Sequence, residues 1–455
     1  MKMEQYLSAL GQKEYLKKGT TSPLNRSPLF DGRIIYVDPT KKKQTMLGFG
    51  GALTESAAYL YSLLGFEQKT MLLKAYFTKE GANYTYGRLS INSSDFGFGN
   101  YDYLDGSDES LESFSLKHEE KYLLPFLSDI EKTRGRSLFL MASPWSPCAF
   151  MKDNRDMNHG GRLEAKYRPL WAKYEAKYFT EMRKKGHEFE IVTVQNEPEA
   201  NQTWDSCLFS SEEEAAYIPF LRAALDEAGF KKIGIYIWDH NRDEMVRRSN
   251  ATLSDPEIDQ MVSGIAYHWY CSNNHKNVSL THELHPDKHL IFSEGCVELT
   301  NPATFKEGVV GSWGHGEIYG ENMIEDFNNY SEGWIDWNVL LDGKGGPNHK
   351  GNYCEAPVMF NLEKRTLVFN PSFYFICHFS RFIERGAKGI HCQNDYESGV
   401  HATAMENPDG SLIVVVMNES GKETEPLIDI KNIGGVKVSL PPHSITTYRL
   451  LKGGK

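Results

Sequence analysis

Between residues 47 and 339 the chain repeats one arrangement eight times: a short apolar run rich in β-branched residues, then a longer connection. The runs are 47–51, 86–92, 137–143, 189–195, 233–239, 264–270, 289–294 and 333–339. Near-continuous apolar runs suit strands buried on both faces of a parallel sheet, and parallel neighbours need crossovers of the length seen here. Helical periodicity fills 67–77, 117–133, 164–185, 211–228, 243–250, 318–330 and 372–384, while the sixth connection, 271–288, is mostly polar. Eight such units predict a closed (β/α)8 TIM barrel in preference to an open doubly wound sheet, because closure leaves no strand edge to protect.

The pattern changes at both ends. After Glu384 come HATAME, SLIVVVMN, EPLIDI, VKVSL and SITTYRL, spaced by turn signals such as Asn407-Pro-Asp-Gly. Short strands without helices between them predict an all-β sandwich. Residues 3–18 carry a mixed helical pattern and lead into a loop rich in Ser, Pro and Gly. RIIYVD (33–38) and QTMLGFGG (44–51) read as two strands joined by a turn across Pro39 to Lys43. RIIYVD has the character of the carboxyl-terminal runs and is expected to pair with them. The organisation expected is therefore an amino-terminal segment, 1–45, contributing to the sandwich; a catalytic barrel, 46–385; and a sandwich, 386–455.

Composition excludes several function classes. A net charge of −11 gives no basic face for nucleic acid. No apolar stretch is long enough to cross a bilayer, so stable membrane insertion is not expected. The amino terminus lacks the apolar core and cleavage site of a secretory signal, and the seven cysteines are scattered without CxxC spacing. Both point to a cytoplasmic protein with reduced thiols.

Chemistry concentrates where strands stop. FEIVTVQNEPE, Phe189 to Glu199, ends its strand at Pro198, leaving Asn196 and Glu197 at the carboxyl end; HLIFSEG repeats this with Glu294. That rim is where parallel α/β folds collect reacting groups. Two carboxylates on one rim are the minimum equipment for glycoside hydrolysis: one is held protonated for the leaving oxygen, the other ionised to attack carbon or activate water. A separation of about 5 Å implies retention of configuration, and about 6.5–9.5 Å inversion. Asn196 is placed to bond a sugar 2-hydroxyl. His268 and Tyr270 sit at the next strand end, Tyr270 as a donor to the nucleophile. His240, His268, His282 and His285 raise a zinc site, but HExxH is missing and the last two lie in a polar loop, so no metal or other cofactor is expected.

At these residues the chain resembles glycoside hydrolase family 30, in its glucosylceramidase-like branch. The carrying segments are GFGGALTES, LSINSSDF, ASPWSPCAFMK, VQNEPEA, IWDHNRD, YHWY, FSEG, GWIDWNVLLDGKGGPNH and NPSFYFICHFSRFI. The resemblance implies a retaining β-glycosidase acting on a β-glucoside or oligosaccharide, with Glu197 as acid/base, Glu294 as nucleophile and Asn196 as the 2-hydroxyl contact. It implies further that Trp145, Trp337, Asn352 and an aspartate after Asp95-Phe96, taken as Asp105, line the sugar subsite. Within the family a β-1,6-glucanase, β-xylosidase or β-fucosidase is the alternative; outside enzymes, a non-catalytic carbohydrate-binding protein.

Overall fold

In the computed structural model, residues 2–25, 30–300 and 310–451 are described. The Ser/Pro/Gly-rich loop expected after residue 18 falls partly outside them. Eight parallel strands close into a barrel: Gly48–Ala52, Tyr86–Ile91, Phe139–Pro144, Phe189–Thr193, Gly234–Asn241, Val262–His268, His289–Glu294 and Gly333–Asn338. Each pairs with its neighbours in sequence, and the last closes on the first through Trp334 beside Phe49. Closure brings backbones close at the first strand. A Cβ on Gly50 would lie 2.3 Å from the carbonyl oxygen of Tyr86, so only glycine fits.

The helical segments form an outer ring, including Leu123–Arg134, Arg168–Lys184, Ser211–Glu227 and Trp313–Asn328. The helix at 211 starts where the sequence writes a capping box: Ser210 Oγ accepts from the Glu213 amide and Glu213 Oε2 accepts from the Ser210 amide. The polar sixth connection holds the short helix Lys276–Leu284.

A ten-stranded sheet uses both ends of the chain. Its members include Lys2–Ala9, Ile34–Thr45, Lys388–Asn394, Val400–Glu406, Leu412–Asn418 and Ser444–Leu450. The helix expected over 3–18 does not form. An isolated helix of that length is marginal in water, whereas Met3 to Ala9 find seven partners along Leu450 to Ser444 and Met3 enters the sandwich core. The turn expected at Pro39 to Lys43 is also absent. Ile34–Thr45 is one strand, and the extra residues are absorbed where its register against Lys388–Asn394 shifts, a bulge that tolerates Pro39.

The strand Leu412–Asn418 shows how the two units join. Leu412, Val414 and Val416 face the sandwich interior with Ile35, Val37 and Ile428. Ile413, Val415 and Met417 face the other way, into the barrel's main core with Phe327, Phe375 and Phe379. A strand buried on both faces reads as a continuous apolar run, which LIVVVM is. All seven cysteines are unpaired. No helix among the described residues is long and apolar enough to cross a membrane.

Candidate active site

Inward-facing residues two apart along the strands build the barrel interior in layers. The lower layer is apolar: Tyr86, Met141, Ile191, Tyr236, Ala266, Ile291 and Ile335. One step towards the carboxyl ends, the same strands present Arg88, Ser143, Thr193 and Ser293, all buried. These polar groups converge on Asp239. Its Oδ2 accepts from Arg88 Nη2 at 2.9 Å, Ser143 Oγ at 3.0 Å and Thr193 Oγ1 at 2.8 Å, and its Oδ1 from Ser293 Oγ at 2.6 Å. Burial pushes the Asp239 carboxyl up, but Arg88 and His268 outweigh it and hold it well below the usual carboxylate range. A buried charge needs this degree of compensation.

On that platform stand the two glutamates. Glu294 receives Arg88 Nη1 at 2.5 Å on Oε2 and the Tyr270 hydroxyl at 3.0 Å on Oε1. Glu197 meets imidazoles: Oε1 lies 3.1 Å from His268 Nδ1 and 3.6 Å from His240 Nδ1. The Glu197 backbone is held at φ 47°, a left-handed conformation that costs a non-glycine residue energy, and its amide donates to the Asp239 carbonyl at 3.0 Å. Burial raises both carboxyls. For Glu197 the pull of His240 and His268 wins, and the group lies below its ordinary value. For Glu294, burial together with repulsion from Glu197 exceeds the pull of His268 and Arg88, and the group lies above it. Burial also disfavours the His268 imidazolium, yet Glu294, Asp239 and Glu197 around it raise it to about 9.

The glutamates open into a cavity of about 280 Å³. Trp145 and Trp337 stack at 5.2 Å between centroids to form one wall, each over the Arg88 guanidinium, at 4.8 and 5.6 Å. Asn196, Tyr270 and Asn352 also line it. Asn196 Oδ1 accepts from Arg88 Nη2 at 2.9 Å, which leaves its amide NH2 available as a donor. His268 stands behind Glu197, fully buried and bonded through Nε2 to Asp239 Oδ1 at 3.1 Å.

Asp105 is elsewhere. It is exposed on a surface loop, its amide donating to Ser113 Oγ, and it does not line the cavity. Asp95 occupies the cavity wall instead, buried and accepting from Asn348 Nδ2 at 3.0 Å and Asn352 Nδ2 at 3.5 Å. The chain runs past the cavity rim directly after the second barrel strand, so the aspartate nearest that strand reaches the cavity and one ten residues on does not. His282 and His285 are also elsewhere, the first stacked on Tyr330 at 4.1 Å and the second bonded to Asn250. Arg88, Asp239 and Asp95 are not among the expected site residues, and His240 enters there only as a zinc candidate. The available signal was charge inside an apolar strand run: Arg88 in YGRLSI and Asp239 closing IGIYIWD.

A (β/α)8 barrel presenting two glutamates at its carboxyl rim, beside stacked tryptophans, is the architecture of a glycoside hydrolase. The chain belongs to glycosyl hydrolase family 30: the family's TIM-barrel domain matches residues 46–383 and its beta sandwich domain residues 386–448. It is 32% identical to the lysosomal acid glucosylceramidase of Mus musculus over 432 residues, 92% of this chain and 83% of that protein. It is 27% identical to an endo-1,6-beta-D-glucanase of Neurospora crassa, covering 87% and 83% of the two. In structure it matches SrfJ from Salmonella typhimurium with a TM-score of 0.94 at 35% identity, over 99% of this chain and 100% of that one.

Proposed function

We propose that this glycoside hydrolase releases terminal β-linked glucose with retention of configuration, by double displacement. The observation that carries the reading is the difference between the two glutamates' partners. Glu294 is met by an arginine and a tyrosine hydroxyl, both donors, which suit a carboxylate that attacks the anomeric carbon. Glu197 is met by imidazoles, which give and take protons, and that suits a group that must cycle between acid and base. In the first step Glu294 forms an ester with the sugar while the proton that the His268 imidazolium holds against Glu197 passes from Nδ1 through Glu197 to the leaving oxygen. In the second, Glu197 takes a proton from water as that water displaces Glu294.

The cavity volume, just below the roughly 300–1,000 Å³ usual for small-molecule sites, supports recognition of a single terminal sugar. The tryptophan wall offers an apolar face for the ring, Asn196 an amide for its 2-hydroxyl, and Asp95 with Asn352 acceptors for the far hydroxyls. A second reading, cleavage of β-1,6-glucan, draws on the whole-chain structural match to an endo-β1,6-glucanase, with a TM-score of 0.86 at 27% identity.

A 2-deoxy-2-fluoro-β-glucoside with a good leaving group tests the mechanism: peptide mapping is expected to find the label on Glu294. Label on Glu197, or an inverted first product, overturns it. Aryl β-glucoside, β-xyloside and β-fucoside compared with a β-1,6-linked glucose dimer test the specificity, and a preference for the last favours the second reading.

A further inference from the structure

We propose that His240, His268 and Glu197 form a binding site for a borderline divalent cation of the zinc type, and that its occupation shuts the enzyme off by capturing Glu197. Their donor atoms all lie within 4.8 Å of one another. Two imidazoles and one carboxylate with a fourth position open to solvent is the donor set of hydrolytic zinc sites. Bonds of about 2.0–2.2 Å in tetrahedral geometry put donors about 3.4 Å apart. Glu197 Oε1 is already 3.1 Å from His268 Nδ1 and 3.6 Å from His240 Nδ1.

Two further features favour a cation. His268 Nε2 is tied to Asp239 Oδ1 at 3.1 Å, the carboxylate–histidine arrangement that fixes a ligand's tautomer and turns the other nitrogen towards the metal. The buried His240 Nδ1 has no hydrogen-bond partner among the described residues, and it points at the same carboxylate. Carboxyl groups line the cavity at Asp95, Glu197, Glu294 and Glu298, and the nearby guanidinium of Arg88 is engaged behind Glu294 and not with Glu197. Sugar and metal compete for one place, because Glu197 and His240 both face that cavity.

The loss of activity rests on the role of Glu197 proposed above; the binding does not. The test is calorimetric titration of the full chain with zinc, repeated with His240→Gln, Glu197→Gln and Cys271→Ser, and visible absorption of cobalt(II) as a second probe. Cys271 is the control because it is an exposed thiol at the same rim. One zinc per chain is expected, with both His240→Gln and Glu197→Gln weakening it by at least about tenfold and Cys271→Ser leaving affinity unchanged. Zinc is expected to inhibit glycoside hydrolysis competitively and chelator to restore it. Binding undiminished in His240→Gln, binding lost in Cys271→Ser, binding without inhibition, or no binding at sub-millimolar zinc overturns the proposal. Zinc bound as expected by a chain that takes no label on Glu294 keeps the metal site and removes the glycosidase mechanism instead.

Discussion

Arg88 and Asp239 reach across the barrel from its second and fifth strands and meet at 2.9 Å, both side chains wholly removed from solvent. The same guanidinium holds Glu294, Asn196 and Ser143, so one planar fork sets the positions of four groups. Lysine has the charge but not the fork. Arg88→Lys is expected to lower kcat/KM about a hundredfold through misplacement of Glu294. Arg88→Met leaves buried carboxylates uncompensated and should cost about 3–5 kcal/mol in denaturant unfolding. Near-normal kinetics in Arg88→Lys would show that charge alone suffices.

Asp95 and Asp105 separate two accounts of sugar recognition. Burial pushes the Asp95 carboxyl well up, and a buried sugar hydroxyl left without its partner there costs roughly 1–3 kcal/mol. Asp95→Ala is therefore expected to reduce kcat/KM for an aryl β-glucoside at least about tenfold, with a smaller loss on the β-xyloside, which has no 6-hydroxymethyl group. Asp105→Ala should leave both substrates unaffected. The reverse ranking would return the sugar contact to the exposed loop.

His401 fastens the sandwich to the barrel, its Nδ1 3.1 Å from Glu325 on a barrel helix and its Nε2 3.4 Å from Glu419. Burial disfavours its charge, yet the two glutamates raise it to about 10. A folded value above the unfolded one, about 6.5, stabilises the protein fully below that pH and is lost as pH rises towards 10. With both carboxylates partly exposed, the contribution is about 1 kcal/mol. His401→Gln should lower stability at pH 6 by that amount and make no difference near pH 10. A deficit that is the same at both pH values would mean that lost packing, not charge, is the cause.

Removing residues 1–45 takes four strands from the ten-stranded sheet and uncovers the edge of Ser444–Leu450 together with the apolar groups under Ile35 and Val37. The truncated chain is expected to aggregate or melt at a clearly lower temperature. An unchanged melting curve would show that these strands only decorate the sheet.

The barrel was legible because buried parallel strands leave continuous apolar runs: HLIFSE spans the observed His289–Glu294 strand end to end. Glu197 and Glu294 were legible because strand ends are punctuated, by Pro198 and by Gly295. The platform beneath them was not, since Arg88, Ser143, Thr193, Asp239 and Ser293 come from five strands and acquire a common purpose only when the barrel closes. Residues 3–18 misled for a related reason: local helical spacing was outweighed by a partner strand more than 400 residues away. Asp105 misled because loop length in sequence says little about which residue turns back to the rim.

The pairing of Met3 with Leu450 also sets an order of events during synthesis. The ribosome releases the first strand long before its neighbour exists, and the whole barrel lies between them. Lys17–Lys18 and Ser22–Pro23 serve one edge of Met3 to Ala9 early, but the other edge stays open while some four hundred residues emerge and collapse, until Ser444–Leu450 is free. A chain cut short anywhere before residue 444 thus keeps one edge of that strand open to pairing with other chains.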